Sequence, residues 1–576
     1  MTWKRDFATG DGFTRDATRI RKDGTGADKR FDAAGDNRLN GERIIIVSNR
    51  GPVNFERDPE TGALTGRPGA GGVVSGLLAA TQGRQVTWIA LAMNEADREF
   101  AQANARRAAP TLEAFPNIAL RLVDMPEEVY RRYYDGISNQ VLWFTQHYLL
   151  QPGVSPVSAR AMTDWDEGYR AVNEAVARAT LREIELTGER TPVLFQDYHL
   201  YLAPGIVREQ LPWARLAHFV HIPWPEPRYW ELLPETVTQA IFSGLAANDI
   251  AGFQTERDAR NFVDGVRRFL PDADLAQRQP GETGALLVEG RRVSARVYPI
   301  AATPSEVFSQ ANGYADQETS ALLAKARPAP DHKIILRVDR VEPTKNIITG
   351  FRAFERMLIE HKRLRERVTF VALLVPSREG LPEYRAVMRE TKATITRINR
   401  RFGTPGWQPI IAIFGNDRAR ALAMMREYDA LLVNPLIDGM NLVVKEAALV
   451  NERKGVVVLS RTAGAYEQLG QYVLGVPPTD TQAIANALYD ALTMPRRERQ
   501  TRATELLNVL MHESAAQWLE AQLHDLAEQT ARPQVALEAG AHGAGWARGA
   551  ADEAAVAELA AKSHTTDQRD TLANLS

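Results

Sequence analysis

Cysteine is absent from all 576 residues, which removes disulfides, thiolate metal sites and cysteine nucleophiles together. No apolar run approaches the roughly 20 residues that a membrane-spanning helix needs, and the start of the chain lacks the apolar core of a signal peptide. A soluble, cytoplasmic protein is expected. An excess of either charge is missing as well: 70 Lys and Arg against 72 Asp and Glu leave a net charge of −2. Neither nucleic acid nor an anionic membrane is therefore expected as a partner. No serine sits in a GxSxG context, so a Ser/His/Asp hydrolase site has no support. What remains is an ordinary globular composition, 44% hydrophobic and 25% charged, in a chain long enough for two full domains.

The ends read as tails: 1–42 is rich in Arg, Lys, Asp and Gly without apolar periodicity, and 531–576 is rich in Ala, Gly and Glu. Between them, short apolar runs alternate with helical patterns. Strands are expected at 43–48, 86–91, 118–123, 193–196, 216–220 and 293–299, with helices at 127–134, 159–186, 234–246 and 256–269. The stretch 281–290 is expected to be a surface hairpin or loop. The pattern restarts with strands at 333–338, 368–375, 409–413, 430–433 and 455–460, and helices at 347–361, 481–492 and 496–526. Such alternation predicts an α/β fold of doubly wound parallel sheets. The expected organisation is a tail (1–42), a first Rossmann-like domain (43–305), a linker (306–332), a second Rossmann-like domain (333–495), helices that pack back (496–530) and a tail (531–576), with a cleft between the domains.

Chemistry is expected at strand ends. In 434–453, NPLIDGMNLVVKEAALVNER, an apolar strand runs into a turn containing Asp438-Gly439 and then a helix carrying Glu446. That order leaves free backbone N–H groups at the carboxyl edge of a sheet, where phosphorylated ligands bind, and Glu446 can reach back to ribose hydroxyls. An ordinary strand–helix unit with a surface Asp and Glu fits this stretch equally well. Gly69-Ala70-Gly71-Gly72 lies in a loop that opens a helix and admits a phosphate or a sugar, although a plain flexible turn would look the same. It is neither a GxGxxG fingerprint nor followed by a Walker lysine. Arg340 and Lys345, just past the strand at 333–338, suit a diphosphate, or else pair with Asp339 and Glu342. Asp197, His199 and His221 follow two other strands and fit a sugar-binding rim. His218 and His221 have H-x-x-H spacing, but residues three apart on a strand face opposite ways, so no shared metal is expected.

Taken together, SNRGPV, GAGG, YYDGISNQVLW, QDYHL, HIPWPEPRYWELLP, GFQTERDARNF, VYPI, VDRVEPTK, PSR and DGMNLVVKE resemble the trehalose-6-phosphate synthase family, in register over 43–526. The resemblance implies a GT-B fold and a retaining glycosyltransferase that uses a nucleotide sugar and no metal or other cofactor. It implies that Arg340 and Lys345 stabilise the donor diphosphate and that Glu446 binds its ribose. Asp438, with the N–H groups of Gly439, Met440, Asn441 and Leu442, would hold donor sugar and phosphate. His221 would meet the donor sugar, Asp197 the acceptor sugar, and Gly71 and Gly72 the diphosphate. Arg50, Tyr134 and Arg378, beside Trp143, would clamp an acceptor phosphate.

The chain departs from the family pattern at Leu91, where a tryptophan is usual, at Asn346 after Lys345, and at Ala301 after VYPI. HIPWP, Lys345-Asn346 and 450–453 also resemble the branch that couples a nucleotide-linked cyclitol to an aminocyclitol phosphate. The expected reaction is glucose transfer from UDP-glucose or GDP-glucose to glucose 6-phosphate, giving α,α-trehalose 6-phosphate by front-face attack. The alternatives are another acceptor, such as a glycerol-phosphate-type or cyclitol phosphate, and a silent sugar-phosphate sensor. The expected partners are these two substrates, with self-association into a homo-oligomer left open.

Overall fold

A computed structural model of the protein describes residues 43–69, 72–150, 158–188, 190–312 and 316–531. Both tails expected from composition lie outside these residues, apart from Ala531, which closes the last helix. The strands, in chain order, are β1 (Ile44–Val47), β2 (Val53–Arg57), β3 (Leu64–Pro68), β4 (Val86–Leu91), β5 (Thr111–Leu112), β6 (Phe115–Val123), β7 (Val193–Gln196), β8 (Leu216–Phe219), β9 (Ile250–Phe253), β10 (Asp274–Leu275), β11 (Glu282–Val288) and β12 (Arg291–Val297) in the first half. The second half holds β13 (Lys333–Val341), β14 (Val368–Pro376), β15 (Ile410–Phe414), β16 (Ala430–Val433), β17 (Val456–Ser460) and β18 (Leu474–Val476).

Two sheets organise the molecule. The first runs β10-β11-β12-β9-β8-β7-β1-β4-β6-β5. Its central strands are all parallel, and antiparallel pairs occur only at its two edges. The second runs β15-β14-β13-β16-β17-β18 and is parallel throughout. Continuous apolar strands such as IIIV in β1 and VVVLS in β17 are buried along their whole length, as helices on both sheet faces require. Chain order reverses beside β1 in one sheet and beside β13 in the other, and ligands bind at the carboxyl ends of strands at such switch points.

Three features differ from the sequence expectations. The stretch 281–290 is the hairpin rather than the loop of the two expected forms, and it is not peripheral: β11 pairs with β12 through a two-residue turn at Glu289 (φ 50°) and Gly290 (φ 75°), and β12 joins the main sheet beside β9. Left-handed conformations at both positions match the twist of a tight hairpin. The turn-rich loop after β1 contains the hairpin β2–β3, whose root is held where the buried Asp97 accepts hydrogen bonds from the Phe55 and Met93 amides. The helix expected at 496–526 is two helices, Arg496–Leu510 and Ala515–Ala531. The second straps across the first sheet, with Trp518 Nε1 donating to the Tyr298 carbonyl at 3.0 Å and the Tyr298 hydroxyl to Asp525 at 2.8 Å. At the break, Glu513 accepts from Lys445 Nζ at 3.0 Å, and the same ammonium donates to the Ile300 carbonyl at 2.9 Å. Among the described residues, no helix is long and apolar enough to cross a membrane.

Candidate active site

The second sheet supplies a cluster of cations and carboxylates. Arg340 lies near the end of β13, and Lys345 ends the short turn Pro343–Lys345 that follows. Asn346 then adopts a left-handed conformation (φ 54°), which accounts for asparagine at a position where glycine is the family habit: its short amide side chain tolerates αL. Beyond β16, the chain turns through Asp438 to Asn441, itself left-handed at φ 77°, and enters the helix Leu442–Val450. Lys345 Nζ donates to Asp438, and Asn441 Nδ2 donates to the same carboxylate at 3.1 Å. Burial works against both charges of the Lys345–Asp438 pair, yet each partner outweighs it, holding the carboxyl below and the ammonium above its ordinary value. Arg340 pairs with Glu342 at 3.2 Å, and Glu342 Oε2 is buried without a hydrogen-bond partner. Glu446, one turn into the helix, has both oxygens held by Arg418.

The first sheet presents the opposing wall. Asp197, directly after β7, sits at φ 69°, an uncommon backbone state for a non-glycine residue and one found where a site imposes it. Its Oδ1 accepts from the His221 amide at 3.2 Å. Burial pushes the Asp197 carboxyl up to about 7, against the Tyr198 and His221 amides and the guanidiniums of Arg378 and Arg340. His221 Nε2 lies 2.9 Å from Gln196 Oε1, so Nε2 carries the proton, and burial pushes the ring down to about 3. His218 faces away and binds the Asp197 carbonyl at 3.0 Å, a structural histidine as its strand position requires. The two walls touch closely: a Cβ on Gly439 would stand 2.1 Å from the His221 carbonyl oxygen.

Beside this wall lies an aromatic pocket with two arginines. The segment Arg132–Leu142 is wound as a π-helix, and with the next turn it carries Tyr133, Tyr134 and Trp143. Such winding is rare and frequent at functional sites. Arg50 Nη2 donates to the Tyr134 hydroxyl at 3.2 Å. Arg378 comes from the other half of the chain, at φ 43°, and donates to the hydroxyls of Tyr384 at 2.6 Å and Tyr198 at 3.2 Å. Its guanidinium stacks 4.3 Å from the centre of the Trp143 ring, and that of Arg340 lies 5.8 Å from it. Burial alone would push the Tyr134 phenol up, but Arg50 and Arg378 bring it below its ordinary value.

The structure thus brings Arg50, Tyr134, Trp143, Asp197, His221, Arg340, Lys345, Arg378 and Asp438–Leu442 around one cleft, with Glu446 beside them. Gly72 begins the helix Gly72–Ala80, whereas Gly71 and Ala70 lie outside the described residues. Tyr198, Tyr384, Gln196, Glu342 and Arg418 were not foreseen as site residues. Tyr198 and Gln196 stand inside the QDYHL motif, but Tyr384 and Arg418 carry no local signal. Among the described residues, the one group with metal-ligand spacing is His524, Asp525 and Glu528 on the outer helix. Asp525 is already engaged there by Tyr298 and Arg296.

The model of glycosyltransferase family 20 matches residues 42–528. A bifunctional trehalose-6-phosphate synthase/phosphatase of Thermoproteus tenax is 32% identical over 485 residues, 83% of this chain, which spans only 62% of that relative. The UDP-forming alpha,alpha-trehalose-phosphate synthase of Schizosaccharomyces pombe is 30% identical over 83% of this chain and 89% of its own. Validamine 7-phosphate valienyltransferase of Streptomyces hygroscopicus is 28% identical over 85% of this chain and 95% of its own. Among solved structures, an alpha,alpha-trehalose-phosphate synthase from Burkholderia xenovorans in complex with glucose-6-phosphate superposes with a TM-score of 0.71 at 28% identity, covering 84% of this chain and all (100%) of that one. An E. coli trehalose-6-phosphate protein bound with UDP-2-fluoro glucose gives the same TM-score, 0.71, at 28% identity, with 84% and 98% covered.

Proposed function

The chain belongs to glycosyltransferase family 20, and on that premise we propose that it moves glucose, with retention, from UDP-glucose or GDP-glucose to glucose 6-phosphate, forming α,α-trehalose 6-phosphate. The observation that carries the acceptor is the partnering of its cations. Arg50 and Arg378 are held by phenolic oxygens, and among the described residues neither has a carboxylate at ion-pair distance. Two guanidiniums converging on Tyr134, with no carboxylate in direct contact, suit a phosphate dianion, which each can bind bidentately. Arg340 and Lys345 are instead balanced by Glu342 and Asp438, as suits groups whose charge is called on when a diphosphate departs. The relatives solved with glucose-6-phosphate and with UDP-2-fluoro glucose support both substrate classes by similarity.

In this scheme Asp438 and the amides of Gly439 to Leu442 hold the donor sugar and phosphate, Glu446 holds the ribose, and His221 and Asp197 orient the two sugars. The acceptor hydroxyl attacks the anomeric carbon on the face the diphosphate leaves, the bond to the diphosphate breaks, and a leaving oxygen takes the hydroxyl proton. Arg340 and Lys345 supply the positive charge, so the step calls for no metal. Nucleotide release by the purified protein with each donor against glucose 6-phosphate is the test. Fast, acceptor-dependent release is expected.

A different acceptor on the same machinery is the second assignment, favoured by Leu91. That side chain is fully buried in the core and offers no aromatic surface to the acceptor side. Release with a cyclitol phosphate or another sugar phosphate, and none with glucose 6-phosphate, would establish it. Tight ligand binding without any release would mark a sensor.

A further inference from the structure

We propose that Arg418 is a positioning residue for the donor's ribose, acting through Glu446; this rests on Glu446 being the ribose acceptor. Arg418 opens the helix Arg418–Met425, just past the carboxyl end of β15, and Asp417 caps that helix by accepting from the Arg420 amide. Its Nη2 donates to Glu446 Oε1 at 3.0 Å and its Nη1 to Glu446 Oε2 at 3.3 Å. Its Nε donates to Gln310 Oε1 at 2.8 Å, on the helix Pro304–Asn312 that leads from one sheet to the other. Three hydrogen bonds therefore fix the guanidinium plane of a side chain that is 49% exposed.

Two consequences follow for a ligand. A fork-on-fork pair uses one lone pair on each carboxylate oxygen and leaves another on each, a pattern that a vicinal diol satisfies with its two hydroxyls. The pair also cancels a negative charge one turn from the helix start where the diphosphate is expected, so the donor meets an oriented acceptor without a repulsive one. A half-exposed ion pair of this kind contributes little to folding. Its cost or benefit belongs to binding.

The experiment uses the full chain with Arg418→Met, Arg418→Lys and Glu446→Gln, assayed with UDP-glucose and GDP-glucose and with their 2′,3′-dideoxyribose counterparts, glucose 6-phosphate being the acceptor. Arg418→Met should raise the donor KM roughly tenfold for the ribose donors, with kcat within about twofold and an unchanged melting temperature, the size expected for a charge-assisted hydrogen-bond pair. On the dideoxy donors the penalty should vanish, and Arg418→Lys should recover part of the loss. Equal penalties on both donor types, or none, would overturn the proposal. If Glu446→Gln discriminates the two donors and Arg418→Met does not, the proposal alone fails. If Glu446→Gln treats them alike, the ribose assignment fails and takes the proposal with it.

Discussion

Gly439 lies so close to His221 that an added Cβ would stand 2.1 Å from its carbonyl oxygen and 3.0 Å from the neighbouring Ile222 Cα. The obstacle is backbone, which cannot swing aside as a flexible side chain would. The contact joins the Asp438–Asn441 turn of one sheet to the His221 loop of the other. Gly439→Ala must therefore part the two walls. A shift on the order of 1 Å in reacting geometry costs about 10²-fold in rate, so turnover should fall by at least that while circular dichroism stays native. A Gly439→Ala enzyme of near-normal turnover would refute the close approach as functional.

Arg340→Ala and Lys345→Ala should each lower kcat by about 10²–10³, the cost of losing one group that stabilises a developing charge. Donor affinity measured by calorimetry should change far less, because Glu342 and Asp438 already balance these cations in the free enzyme. Loss of binding in step with turnover would reassign the pair to ground-state recognition.

The pH profile should show one acidic limb. In its proposed role Asp197 orients the acceptor sugar as a carboxylate, and burial raises its carboxyl to about 7. Below that value it is protonated, so kcat/KM for the acceptor should fall by about tenfold per pH unit and level off above it. His221 and His218, at about 3, and His147, at about 4, stay neutral throughout and add no limb near neutrality. Asp197→Asn should be slow and flat with pH; a limb that survives this change would belong to another group.

Arg378→Lys should raise the acceptor KM by about 10- to 100-fold while leaving donor affinity intact. A lysine keeps the charge but loses the planar fork, the stacking on Trp143 and the bonds to Tyr198 and Tyr384. Titration with glucose 6-phosphate, with and without the nucleotide, gives the answer directly.

Stability should respond unequally at the Lys445–Glu513 bridge. Lys445 is fully buried, whereas Glu513 is 19% exposed. Glu513→Ala strands an ammonium in the interior with one carbonyl, at a cost of about 3–5 kcal/mol. Lys445→Met removes that charge, replaces it with an apolar chain of similar length and returns Glu513 to water. Thermal melts should place Glu513→Ala below Lys445→Met, and the reverse order would mean that the ammonium is better solvated than its burial implies.

Much of the architecture was legible locally. The helix Glu256–Phe269 and the strands β4, β7 and β16 stand where periodicity and apolar runs placed them. The strand, the turn at Asp438-Gly439 and the helix after it were legible as a unit, because each is encoded within a few residues, while that stretch alone left a phosphate site and an ordinary strand–helix unit equally open. The hairpin Glu282–Val297 was among the expected forms, but its place in the main sheet was not, since its pairing to β9 is a long-range choice, made by burial of Leu286 and Val293 in the core. The break at 511–514 was invisible for the same reason: Lys445 and Ile300, remote in sequence, meet the chain there.

By itself the sequence determined the two doubly wound sheets and the family, since these rest on local periodicity and on contiguous motifs. Tertiary structure alone decided which cations pair directly with a carboxylate and which are held by phenols. Lys345 meets Asp438 because the loops after the neighbouring strands β13 and β16 lie side by side, and Arg378 meets Tyr198 because strand-end loops from different sheets face each other across the cleft. Charge balance depends on distances of a few ångströms between residues far apart in the chain, and sequence spacing carries no measure of them.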